Sequence, residues 1–399
     1  MTTRIKIQNN ITEIFLYENL AWPEVAQLPR DTPLILPLGQ DWDSRLLIEQ
    51  LGFPKRIGML PPFPFGWRGS GLAVAEPILG SYLGNLVNSL KEDGFTKAFV
   101  LIPQEYSPQW HREISFPAIF QPGRLFSDKP VFLPSDSERG KVVLIPIGHT
   151  EQHALHLPLC VDSTIIDAIT KETVKRSIAR TTTLPTMPYG VSTHRSSFAG
   201  TLNSGGRAFE DFWIAIVDAL SARGFDRFYF ISGHGGNMSF LVNIIKYAGE
   251  RHRRIFCATS FLHTSGPLGA AALEKYRSSR IGGMGHAGEL ETSFMLFLRP
   301  ELCHMERVVD ETDFVSTPSY YMDWIEGGSL IANPPWDDDT RTGAYGAGSL
   351  ATAEKGRLWL EVAVEEKIRH IEEIHEQHER REARRDTGYG LWGKHKDSP

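Results

Sequence analysis

The densest set of side chains able to do chemistry lies in Gly148-His-Thr-Glu-Gln-His-Ala-Leu-His-Leu-Pro-Leu-Cys-Val-Asp162. Glu151 and His153 alternate, and Asp162 follows eleven residues after Glu151. Two carboxylates and an imidazole at this spacing suit Zn, Mn or Fe, with one carboxylate able to bridge two ions. A second cluster centres on His234 in Ser-Gly-His-Gly-Gly-Asn, residues 232–237, where glycines allow tight turning and close backbone approach to a ligand. No Walker lysine follows and the dinucleotide spacing of glycines is absent, so this is not a phosphate loop. The third, Gly285-His286-Ala-Gly-Glu289-Leu-Glu291-Thr-Ser, adds an imidazole and two carboxylates. Either glutamate could equally be a first-turn residue favoured by the helix dipole. Two cations sharing a carboxylate lower the pKa of water towards neutrality, and one can polarise a carbonyl. An amide nitrogen leaves poorly unless protonated, so His286 or a nearby glutamate is the candidate general acid.

These residues need elements to hold them. VVLIPI (142–147), RFYFIS (227–232) and RIFCATS (254–260) read as buried strands. Between them lie helical stretches: one from Asp162-Ser-Thr, as a cap, to about 180, and one with Phe209, Trp213, Ile216 and Leu220 on one face after a cap at Ser204. The alternation predicts an α/β fold, a mostly parallel sheet flanked by helices. Sites in such folds sit at the carboxyl ends of strands, which is where the first two clusters fall.

The 399 residues carry 42 Lys+Arg against 48 Asp+Glu, a formal charge of −6, with no long basic block to serve as a nucleic-acid footprint. No run of 18 apolar residues exists and the N-terminus lacks an apolar signal-peptide core, so no membrane partner is expected and the cytoplasm is the expected location. Cys160, Cys257 and Cys303 are odd in number and widely spaced, which suits reduced thiols better than a disulfide framework. The expected partner is a small-molecule substrate.

Residues 1–135 contain echoes of the later chain. LILPLG (34–39) parallels VLIPIG (143–148), PFPFG (62–66) parallels TMPYG (186–190), and LKEDGFTKAFVLIP (90–103) parallels LSARGFDRFYFISG (220–233), in the same order. This N-terminal α/β region reads either as a shortened, degenerate repeat or as a chance recurrence of the same β–α grammar. In a true repeat, Trp42, Ser44 and Gln104 face Glu151, His153 and His234, and cannot make the same metal site. The expected organisation is this region, a catalytic domain over 136–365, and a charged helical extension and tail over 366–399. The run EEIHEQHERREARR reads as solvated, and metal binding by His375 and His378 within it is disfavoured. His194, Trp324 and Trp336 are candidates for lining a pocket, each with a structural alternative.

The clusters together resemble the creatininase (creatinine amidohydrolase) family. That family shows G-x-x-E-Q-H-G-x-H-L-P-L-x-x-D, Y-G-x-x-x-x-H-x-x-F-x-G-T, N-G-H-G-G-N and H-A-G-x-x-E-T-S segments in this order. Here they correspond to Glu151-Gln152-His153 through Asp162, then Tyr189-Gly190 with His194, Phe198 and Gly200-Thr201, then His234 to Asn237, then His286 to Ser293. Residues 342–356 also look like a late family segment, so the resemblance runs from about 140 to 365. Ala154 stands where glycine is usual, and Ser232 replaces the asparagine before GHGG.

The resemblance implies a metal-dependent amidohydrolase with two divalent ions per chain, Zn and/or Mn, with Fe an option. It implies that Asp162 bridges them and that Glu151, His153 and His234 complete the sites. Creatininase takes a further ligand two residues after the histidine of the third motif, where this chain has Gly236. Glu291, in the E-T-S part of the fourth motif, then stands as the fifth metal ligand, with Glu289 second. The catalytic pair expected is His286 and Glu289. The bond expected to break is a non-peptide C–N bond in a small, cyclic amide. Alternatives keep the same site for keto-inositol ring opening, deformylation or peptide trimming in cofactor maturation, or make the chain a non-catalytic scaffold. A homo-oligomer, with a hexamer as one form, is also implied.

Overall fold

A computed structural model describes residues 2–7, 9–39, 42–104, 117–121, 133–193, 197–260, 266–323 and 327–387. Strands β1 (Thr2–Ile7) and β2 (Asn10–Leu16) form a hairpin, followed by the short helix α1 (Trp22–Ala26). A β–α rhythm then sets in: β3 (Leu34–Pro37), α2 (Ser44–Gln50), β4 (Arg56–Met59), α3 (Glu76–Glu92), β5 (Ala98–Pro103) and β6 (Ala118–Gln121). It resumes with β7 (Val142–Ile147), α4 (Val161–Arg176), β8 (Thr181–Thr183), α5 (Gly206–Ala222), β9 (Arg227–Ser232), α6 (Met238–Arg251) and β10 (Phe256–Ser260). Helices α7 (Pro267–Tyr276), α8 (Glu289–Leu298) and α9 (Ala353–Asp386) complete the chain.

The strands form two sheets. The first has order β1-β2-β4-β3-β5-β6, parallel except for the β1–β2 pair, and the second has order β10-β9-β7-β8, parallel throughout. β7 is buried at every position, as expected of a strand covered on both faces.

The echoes in the sequence recur as equal geometry. The order β4-β3-β5-β6 repeats as β8-β7-β9-β10. Leu34 pairs with Ala98 as Val143 pairs with Phe228, the register that the aligned segments demand. Gly39 N–H donates to Phe63 O at 3.0 Å, and Gly148 N–H to Met187 O at 2.9 Å. The turns after α3 and α5 match as well, with Gly94 and Gly224 both at φ 90°. Chance β–α grammar explains a shared strand order more easily than shared register and turn bonding. Between the two halves, α3 packs on α5, and the ring centre of Phe212 lies 5.1 Å from that of Tyr82 and 5.7 Å from that of Phe63. One hydrophobic core therefore runs through both sheets.

Two local expectations are corrected. Asp162 does not cap α4: the helix starts one residue earlier, and the carboxylate turns towards imidazoles instead. The charged C-terminal run is not a free extension, because α9 is continuous to Asp386 and buries Ile371, Ile374, His375 and His378. His375 and His378 donate to the carbonyls of Arg180 (3.0 Å) and Arg254 (3.2 Å), and Arg227 reaches the other nitrogen of each ring. They are docking residues.

Candidate metal centre

The loop after β7 carries His149, Glu151 and His153, the first turn of α4 carries Asp162, and the loop after β9 carries His234. Because β7 and β9 are neighbours in the sheet, their carboxyl ends bring these groups together. The loop before α8 adds His286, and the first turn of α8 adds Glu291. All seven are buried, none more than 4% exposed. Three overlapping groups emerge, each with ligand atoms within 4.8 Å of one another: His149, Glu151, His234; Glu151, His153, His286; and His153, Asp162, Glu291.

Asp162 offers Oδ1 to His153 Nε2 at 3.1 Å and Oδ2 to His234 Nδ1 at 3.2 Å. Glu151 Oε1 lies 3.0 Å from His234 Nδ1 and 3.5 Å from His286 Nδ1, and Glu291 Oε2 lies 3.8 Å from His153 Nε2. The outer nitrogens are held by the backbone. His153 Nδ1 donates to Glu151 O at 3.0 Å, His234 Nε2 to Val191 O at 2.9 Å, and His286 Nε2 to Gln152 O at 2.6 Å. A carbonyl only accepts, so each ring carries a proton on its outer nitrogen and turns the other nitrogen, with its lone pair in the neutral form, to the cluster. This is how metal-binding imidazoles are oriented.

The electrostatics agree. Burial opposes charge on His153, yet Asp162 and Glu291 push it up to about 9, and Glu151 and Asp162 drive His234 well above its ordinary value. Burial raises Asp162, but His153 overrides it and holds the carboxyl down at about 2; Glu151 is likewise held low against its burial, chiefly by His234. Burial lifts Glu291 to about 7. The cluster thus gathers positive charge at the two nitrogens that face carboxylates. Asp162 Oδ2, fully buried, faces His234 Nδ1 at 3.2 Å but has no well-aligned hydrogen bond among the described residues. Oxygen and imidazole donors without thiolate suit Zn, Mn or Fe, so the residues present fit divalent metal.

Glu289 is not brought into this centre. Its carboxylate accepts from the backbone N–H of Ser278 and Ser279, both at 2.8 Å, and pairs with Lys355. Two residues along a helix turn a side chain through about 200°, so Glu289 and Glu291 point to opposite sides. The carboxylate expected to be catalytic at Glu289 is thus held by Lys355 and two backbone amides, outside the cluster. Gly236 leaves no room for a carboxylate either, since a Cβ there falls 2.4 Å from His234 Nε2. Ala154, where the family's glycine is usual, adopts φ 56°, the left-handed conformation that glycine takes without strain.

His149 escaped the sequence reading. The signal was present: residues 149, 151 and 153 alternate, so in extended chain they share a side. Trp336 is buried with its ring centre 4.7 Å from that of His286, covering it. His194 and Trp324 lie outside the described residues. A cavity of about 1350 Å³, lined by Trp42, Pro62, Trp67, Lys171 and Arg223, lies elsewhere and touches none of the seven cluster residues.

The family model described as Creatininase: Creatinine amidohydrolase matches residues 133–371. The chain belongs to the creatininase family. It is accordingly a hydrolase of that family, with a centre suited to divalent metal. Creatinine amidohydrolase of Pseudomonas putida is 29% identical over 244 residues, covering 56% of this chain and 86% of that protein. A mycofactocin precursor peptide peptidase of Mycobacterium ulcerans (strain Agy99) is 28% identical over 222 residues, covering 54% and 78%. Among solved structures, a manganese creatininase superposes with a TM-score of 0.50 at 24% identity, covering 60% of this chain and 92% of that one, a likeness of fold. The family match leaves out β1 to β6. No helix among the described residues is long and apolar enough to cross a membrane.

Proposed function

We propose that this creatininase-family chain hydrolyses a non-peptide C–N bond in a small, cyclic amide, with Glu151, His153, Asp162, His234 and Glu291 holding two divalent ions, Zn and/or Mn. The observation that carries the reading is the common wiring of His153 and His234, each fixed by a backbone carbonyl and turned to a carboxylate of the same cluster. Bound divalent ions supply Lewis acidity and bring the pKa of water towards neutrality.

The chain's own residues do the rest. His286, with its outer proton on Gln152 O and its inner nitrogen 3.5 Å from Glu151 Oε1, is placed to take a proton and pass it to the departing nitrogen. Burial, with His153 beside it, disfavours charge on this imidazole and holds it down at about 3. Trp336, packed beside it, keeps water from the reacting atoms.

A second reading retains the centre and changes the substrate to a peptide, and is supported by an identity to the peptidase that matches the identity to creatinine amidohydrolase. Residues 1–135 are read as a degenerate, non-metal-binding repeat that supports the catalytic half, supported by the shared strand order and register. Cytoplasmic location is supported by three free cysteines, and a homo-oligomer by the family resemblance. The test is elemental analysis of chelator-free protein followed by a panel of cyclic amides, lactones, keto-inositols and short peptides. Metal-dependent turnover of cyclic amides is expected; turnover of peptides alone selects the second reading, and no metal uptake overturns both.

A further inference from the structure

Of the four imidazoles in the cluster, His149 is wired the opposite way. Its Nδ1 lies 2.8 Å from the backbone nitrogen of Gly190, and a backbone N–H can only donate. Nδ1 therefore supplies the lone pair, and the ring proton sits on Nε2. The arrangement is held from several sides. Gly190 O accepts from Ser204 N–H at 3.0 Å and from the Ser204 hydroxyl at 2.7 Å. The next residue, Val191, donates its N–H to Asn237 Oδ1 at 2.9 Å, and the His149 ring lies against His234 with centres 4.4 Å apart.

Nε2–H of His149 is fully buried and has no hydrogen-bond partner among the described residues. The facing acceptor is Glu151 Oε2, 4.0 Å away, a side-chain rotation short of a hydrogen bond. Glu151 uses its other oxygen, Oε1, towards His234 and His286. As a ligand through Nε2, His149 would have to give up its proton while Nδ1 still accepts from Gly190, leaving an imidazolate. Proximity alone would group it with Glu151 and His234 as a ligand; the direction of the Gly190 bond excludes that.

We propose that His149 is a positioning residue, not a metal ligand: its Nε2–H donates to Glu151 Oε2 and so dedicates Oε1 to the ions. The inference rests on the metal-centre reading above and assigns a role to a residue outside its ligand set. A buried donor without a partner is costly, and swinging one Glu151 oxygen onto it satisfies both groups. Outer partners of this kind tune metal affinity by roughly 10- to 100-fold.

The test has two parts. Nitrogen-15 NMR of histidine-labelled protein, without and with Zn, is expected to show one site imidazole protonated on Nε2 alone in both states, assigned by its loss in His149→Gln. A Zn-shifted, unprotonated Nε2 on that ring overturns the proposal. In the second part, Zn binding is titrated for wild type, His149→Ala and His149→Gln. His149→Ala is expected to keep the wild-type stoichiometry and weaken affinity roughly 10- to 100-fold. His149→Gln, whose amide can offer an N–H near the same place, is expected to recover most of that loss. Loss of one ion from both variants at saturating Zn overturns the proposal, as does unchanged affinity in His149→Ala. Should wild type bind no metal, the metal-centre reading fails, while the tautomer of His149 is still read from the metal-free spectrum.

Discussion

Asp162 Oδ1 lies 3.1 Å from His153 Nε2, while the second oxygen of the same carboxylate faces His234 Nδ1 from the other side, at 3.2 Å. One side chain therefore stands between the two halves of the centre, and its removal should cost both ions. Elemental analysis of Asp162→Ala should find metal falling from about two ions per chain to near zero. A variant that retains one ion would show that Asp162 serves a single site.

Glu289 gives the contrasting case. Burial opposes its charge, but Lys355 and the Ser278 and Ser279 amides hold its carboxyl below the usual range. Glu289→Gln leaves Lys355 without its anion and should lower unfolding stability by about 3 kcal/mol. Metal content should be unchanged, and kcat of the folded fraction should stay within a few-fold of wild type. Loss of metal with stability intact would return Glu289 to the centre.

Strand-to-loop junctions were legible because apolar runs such as Val142–Ile147 end in polar clusters, and motif order carried the family. Side-chain direction was not legible. Glu289 and Glu291 differ by two positions in one helix turn, and only the placement of Lys355 and of His153 separates their roles. The tautomers of His149 and His153 depend on whether an amide or a carbonyl happens to face the ring, which no spacing encodes. The solvated reading of the run 372–385 holds for most of its side chains but misses a narrow docking stripe, Ile374, His375 and His378, which continues Ile371, because charge dominates the composition.

A pH-dependent stability term comes from Glu18, in the turn Tyr17–Asn19, where burial raises the carboxyl to about 7 against the opposing pull of Arg299. Below pH 4.5 the group is protonated in both folded and unfolded chains and contributes nothing. As pH rises from 4.5 to 7 the unfolded chain ionises first, so stability falls, and the loss is complete above about 7. Glu18→Gln should therefore leave stability unchanged at about pH 4 and raise it at about pH 8, by up to about 3 kcal/mol. Denaturant titrations at both pH values, at constant metal, check this; an equal gain at both would assign the effect to packing.

The shared core makes the two halves one folding unit. Gly66 has φ 113°, and a Cβ there would fall 2.7 Å from Phe212 Cε2 across the seam. Gly66→Ala combines a left-handed strain with that overlap, and should cost about 2–4 kcal/mol. The loss should appear as a single cooperative transition at lower denaturant, because Phe63, Phe65, Tyr82, Phe212 and Trp213 belong to the core common to both sheets. A chain beginning at residue 136 exposes Phe212 and Trp213, and should be recovered aggregated rather than as a folded, metal-binding protein. If that shorter chain instead folds and takes up Zn, the N-terminal half is a separable appendage and the strain at Gly66 should melt it alone, in a transition distinct from that of the metal centre.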